Sequence, residues 1–127
     1  MPLVKIELKK GQAKDFLSSL MVCIIEAIIE VLRIPDNDSN IRVIEYEPHL
    51  FVMKPPYEIL IEIILFSGRT DRTKTNLYKK IVEKLDARLS IKGETVFIIL
   101  NEQPKVNWGV RGGKPASDIN FDFDIEI

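Results

Sequence analysis

The chain opens MPLVKIELKKG. Pro2 is open to two readings. Proline has no backbone N–H, so it is tolerated at the first position of a strand. Alternatively, methionine before a small residue is usually removed, and the Pro2 nitrogen would then be a free secondary amine on a rigid ring. An α-amine has an unperturbed pKa of about 8. Apolar burial and a nearby cation both disfavour its charged form. An uncharged amine near neutral pH can abstract a proton next to a carbonyl.

Other reactive side chains are few. Arg42, Arg69 and Arg111 each offer a planar fork that binds a carboxylate bidentately and does not titrate. Asp36 and Asp38 lie in PDND, which reads as a polar loop with an Asx turn. His49 is the only histidine and has no second metal ligand at useful spacing. No metal, P-loop or dinucleotide pattern appears, so no cofactor is expected. Cys23 is the single cysteine and sits in an apolar run, as a small buried residue would. It excludes an internal disulfide and fits a reducing compartment. The formal net charge of −1 gives no general attraction to nucleic acid or an anionic membrane.

These residues need a frame. A length of 127 residues fits one domain, 1–127, with a real core. LMVCIIEAIIEVL is too short to span a bilayer and is interrupted by Glu26 and Glu30. Those two are four apart and mark one wet edge of a mostly buried helix. No signal peptide is evident, and a cytoplasmic protein is expected.

The chain repeats itself. VKIELKKGQAKDF and IEIILFSGRTDRT each run from a strand through a glycine into a helix. Aligning Gly11 with Gly68 sets a shift of 57, which also aligns Ile34 with Ile91 at the helix ends. RVIEYE then matches FIILNE at a shift of 55, which calls for a small gap. The expected fold is α/β (α+β): a tandem βαβ repeat, with unit one over about 2–50, unit two over about 57–103 and a C-terminal turn and strand over 104–127. Helices are expected over Gln12–Leu32 and Asp71–Leu89, the second with Thr70 as N-cap and Leu77, Ile81, Leu85 and Leu89 as its apolar stripe. INFDFDIEI alternates strictly, as a half-buried strand does. Right-handed crossovers put both helices on one face of a four-stranded sheet. IEIILF and VFIIL are apolar at nearly every position, so the other face also needs cover, most simply from an oligomer.

The ordered pieces MPLVKIEL, IRVIEYE, GRTDRTK and WGVRGGKPAS resemble the tautomerase superfamily, on a frame of two fused βαβ units. The two-unit length and RIPDND look closer to the fused members, such as malonate semialdehyde decarboxylase. The resemblance covers nearly the whole chain. It implies a homotrimer with inward-facing sheets, and first strands of the two units that run antiparallel, bringing Pro2 and Arg69 together.

It also implies roles. Pro2 would be the general base. Arg69 would anchor a substrate carboxylate. Arg42, from an adjacent subunit, would stabilise developing enolate charge. Trp108 would line the pocket and exclude water. Phe51 and the tail phenylalanines would form its apolar wall, and Arg111 could reach it. The implied activity is a cofactor-independent isomerase that interconverts keto and enol forms of a small 2-oxo carboxylic acid. Two alternatives stand beside it: a decarboxylase or hydratase using Pro2 and Asp38, and a non-enzymatic trimeric protein-binding module. Ser67 stands where the decarboxylase branch carries an arginine, which counts against that branch. Gln12 stands in unit one where unit two has Arg69, which implies one pocket per chain.

Overall fold

A computed structural model describes all of residues 1–127. Strand β1 (Leu3–Lys9), helix α1 (Lys14–Leu32) and strand β2 (Asn40–Tyr46) form the first unit. Strand β3 (Ile59–Phe66), helix α2 (Asp71–Leu89) and strand β4 (Val96–Gln103) form the second. A hairpin of β5 (Gly109–Val110) and β6 (Lys114–Pro115) follows. The sheet order is β2-β1-β3-β4. Pairing is parallel within each unit and antiparallel between β1 and β3. The fold is thus the tandem βαβ arrangement read from the sequence.

The core lies between the sheet and the helices. Val4, Ile6 and Leu8 of β1 and Ile61, Ile63 and Leu65 of β3 alternate onto the helix side, against Leu20, Ile24 and Ile28 of α1 and Leu77, Ile81 and Leu85 of α2. The edge marked by Glu26 and Glu30 is where α1 meets α2: Glu26 pairs with Arg88 at 2.5 Å, and both glutamates face Lys84.

Thr70 caps α2 by accepting from the Thr73 N–H at 3.2 Å. Helix α1 starts at Lys14, two residues later than expected, because Gln12 and Ala13 precede its first turn and Ala13 has no capping oxygen. Arg33 and Ser90 end the two helices in the left-handed region, at φ of 54° and 55°.

The structure corrects the gap in the repeat. Leu3 pairs with Asn40, and Leu60 pairs with Phe97, so the strand offset is the same in both units. A shift of 57 therefore carries through the second strands: Asn40 corresponds to Phe97, Glu45 to Glu102 and Tyr46 to Gln103. It even relates the short 3₁₀ turns Pro48–Leu50 and Lys105–Asn107, and the Phe51 and Trp108 that follow them.

The tail departs from expectation. Its apolar residues are partly buried and its polar ones exposed, as the alternation requires, but it joins no ladder. It lies instead over the open face of the sheet. Phe121 and Phe123 pack on Phe66, at 5.2 and 6.4 Å between ring centroids, and the Ile127 carbonyl accepts from the Thr70 N–H and the Thr73 hydroxyl. The chain therefore covers part of its own open face. Phe97 and Ile99 on β4 remain 40% and 48% exposed.

Candidate active site

The antiparallel β1–β3 pairing puts the start of β1 beside the end of β3, with Leu3 opposite Ile64. Pro2 is buried there. Its carbonyl accepts from the Asn40 backbone N–H at 3.1 Å and from Asn40 Nδ2 at 3.4 Å, which ties β1 to the head of β2. Asp38 sits just before that head. Its Oδ2 accepts from the Met1 ammonium at 2.8 Å. Burial pushes this amine below its ordinary value, Asp38 pulls it up, and Arg69 pushes it down.

Arg69 is 6% exposed. Gly68, at φ 134°, turns the chain into it, and a Cβ on Gly68 would meet the Ile125 carbonyl at 3.2 Å. Arg69 Nη1 donates to the Phe66 carbonyl at 3.2 Å, while Nε has no partner. Burial lowers the guanidinium from its usual range, against the pull of Glu102 and Asp124. Glu102 is engaged by Lys74 at 2.5 Å and does not neutralise Arg69 directly. A buried cation with an unused donor is costly unless an anion completes it.

An aromatic wall closes the region. Trp108 is buried, meets Phe66 edge-on at 4.8 Å, and donates from Nε1 to the Gln103 carbonyl at 3.3 Å. Met1, Leu3, Phe121 and Phe123 pack into the same cluster. Arg69 lies 6.0 Å from the Phe123 ring centroid. Arg111 is exposed and reaches only the outer ring, 5.5 Å from Phe121.

The structure thus brings together the beginning of the chain, Asp38, Arg69 and Trp108. Arg42 is not among them: it is exposed on the open sheet face, opposite Lys5. Phe51 is a correction. It follows β2, which runs parallel to β1, so it lies at the far end of the sheet, stacked on Tyr46 at 5.2 Å. The seven residues of β1 separate it from Pro2 by about 20 Å. His49 is exposed in the loop beside it. Sequence reasoning missed Phe66, Asn40 and Lys105, the last lying 5.7 Å from the Phe66 ring centroid. Only their placement after the strands are paired reveals them.

This fold is that of a known enzyme class. The family model described as tautomerase enzyme matches residues 38–111. The chain belongs to that family. It is 29% identical over 122 residues to the probable tautomerase YusQ of Bacillus subtilis (strain 168), covering 90% of this chain and 96% of the relative. It is 33% identical over 61 residues to 2-hydroxymuconate tautomerase of Pseudomonas putida, covering 48% of this chain and 95% of that one, as expected when one chain holds the unit twice. Among solved structures, malonate semialdehyde decarboxylase superposes with a TM-score of 0.83 at 22% identity, over 93% of this chain and 99% of that one. A fused 4-OT symmetric trimer superposes with a TM-score of 0.81 at 21% identity, over 91% and 96%.

Proposed function

We propose that this tautomerase interconverts the enol and keto forms of a small 2-oxo carboxylic acid, with the amine of Pro2 as the base. The observation that carries the reading is the buried guanidinium of Arg69 beside the head of β1, with no carboxylate paired to it and its Nε without a partner. Loss of Met1 would leave the amine on Pro2, one residue deeper, and vacate space between Asp38 and the aromatic wall. The substrate carboxylate takes the free donors of Arg69. The neutral amine accepts the enol hydroxyl proton, the electron pair moves through the enolate to C3, and the resulting ammonium returns the proton there. No net proton is consumed. Asp38 steadies the transient ammonium, and Trp108 keeps water away. The ring fixes the direction of the lone pair.

The enolate oxygen needs a further cation. Arg42 supplies it from a neighbouring copy in a homotrimer, the assembly named for the fused 4-OT neighbour. The open β4 surface with Phe97 and Ile99 is available for that contact.

A second reading has one specific support. Asp38 lies 2.8 Å from the Met1 amine and is not engaged by a lysine or arginine, so once Met1 is lost it is free to hold a water for hydration or decarboxylation of a three-carbon oxo acid. Asp38→Asn separates the two, because it abolishes water-dependent chemistry while tautomerisation continues with its acidic limb moved to lower pH. The primary test is the ketonisation of phenylpyruvate enol by the wild type and by Pro2→Ala. The proposal predicts loss of at least about 100-fold in kcat/KM, the usual contribution of a positioned base. Equal rates would leave only a scaffold.

A further inference from the structure

The repeat shift of 57 maps the Pro2 site onto a second place in the same chain. Pro2 corresponds to Ile59, Asp38 to Thr95, Arg69 to Gln12 and Trp108 to Phe51. All four counterparts line one cavity of about 610 Å³ at the opposite end of the sheet. That volume is within the range of small-molecule sites, roughly 300–1,000 Å³. The cavity stays open because unit one has no counterpart of the tail: residues 119–127 cover the Pro2 end only.

We infer that this symmetry-related cavity is a binding site for a small amphipathic monocarboxylate, held without turnover. Its chemistry has been exchanged. Ile59 has an amide nitrogen within the chain, so no amine base exists there. Gln12 removes the buried guanidinium. The walls are apolar, with Phe16, Phe51, Met53 and Ile59. Charge is carried at the rim by Lys9, Lys10 and Lys92. Two acids oppose them: Glu58, which lines the cavity, and Glu47, which pairs with Lys10 at 2.7 Å. Lys9 and Lys92 have no salt-bridge partner and give the rim its excess positive charge. An apolar body with one carboxylate satisfies both parts, its tail against the phenylalanines and its head among the lysines. A neutral or cationic ligand does not.

Trp108 is the only tryptophan, so the reporter can be moved between the two ends. In F51W/W108F, emission reads the far cavity alone. The probes are 4-phenylbutyrate and its neutral amide. We expect a saturable response to the acid, weaker by about fivefold or more for the amide and for the same reporter carrying K9E/K92E. In the unsubstituted protein, the Gln12 and Thr95 amide resonances should shift with the acid along the same isotherm. No saturable shift at about millimolar acid (an affinity worth only about 4 kcal/mol), or equal affinity for acid and amide, overturns the inference. Neither outcome bears on proton transfer at Pro2, since no measurement uses turnover.

Discussion

In the proposed mechanism the chemistry turns on Arg69, and its surroundings predict opposite effects for two substitutions. The Met1 amine is held low first by burial, then raised by Asp38 and lowered by Arg69; in the proposed mechanism the amine uncovered on Pro2 answers to the same two charges. Catalysis needs the neutral amine, so activity rises with pH through the amine's pKa. Asp38→Asn removes the charge that favours the ammonium, and the acidic limb of kcat/KM moves to lower pH. Arg69→Ala removes the charge that disfavours it, and the limb moves to higher pH, with kcat/KM lower by about 10- to 150-fold for a lost charge-assisted anchor of about 1.5–3 kcal/mol. A pH–rate series on both variants checks this. Limbs that move together, or not at all, would contradict it. The types of these residues were readable from the sequence. The unfilled Nε of Arg69 was not, because it depends on Lys74 taking Glu102, a contact across 28 residues.

At the level of elements, the duplication was the most legible feature. Gly11 and Gly68 are both at strongly positive φ, and Arg33 and Ser90 share a left-handed cap, so local chemistry had to recur at the same spacing. The second strands were misaligned by two residues because the glutamate that ends both RVIEYE and FIILNE attracted the match, whereas the ladder pairs residues by position. The tail misled for another reason. Alternation reports which side chains are buried, and a segment lying across a sheet face buries alternate residues just as an edge strand does. Thr70 was legible as a cap and also holds the Ile127 carbonyl at 2.9 Å. Thr70→Ala should therefore cost about 1 kcal/mol of stability in urea unfolding and loosen the tail, read as faster exchange of its amides. An unchanged midpoint would show that the cap contributes nothing.

At the level of the whole molecule, the proposed assembly and the proposed role of Arg42 share the open sheet face. Lys5 meets Glu62 at 3.5 Å across it, Arg42 is exposed on β2, and Ile99 is exposed on β4. Apolar strands argued that this face is covered, and the chain covers only the part under its tail. If Arg42 acts from a neighbouring copy, co-expressed Pro2→Ala and Arg42→Ala chains should form mixed oligomers that recover activity neither variant has alone. Failure to recover, with mixed oligomers verified by mass, would place Arg42 within its own chain or outside the mechanism.

The proposed chemistry needs an unblocked ring nitrogen on Pro2. Intact mass spectrometry of the purified, active protein reads this directly. A chain lighter than the 127-residue sequence by one methionine residue, and otherwise unmodified, is the predicted result. Full ketonisation activity in a sample that retains Met1, or whose Pro2 is capped, would contradict it.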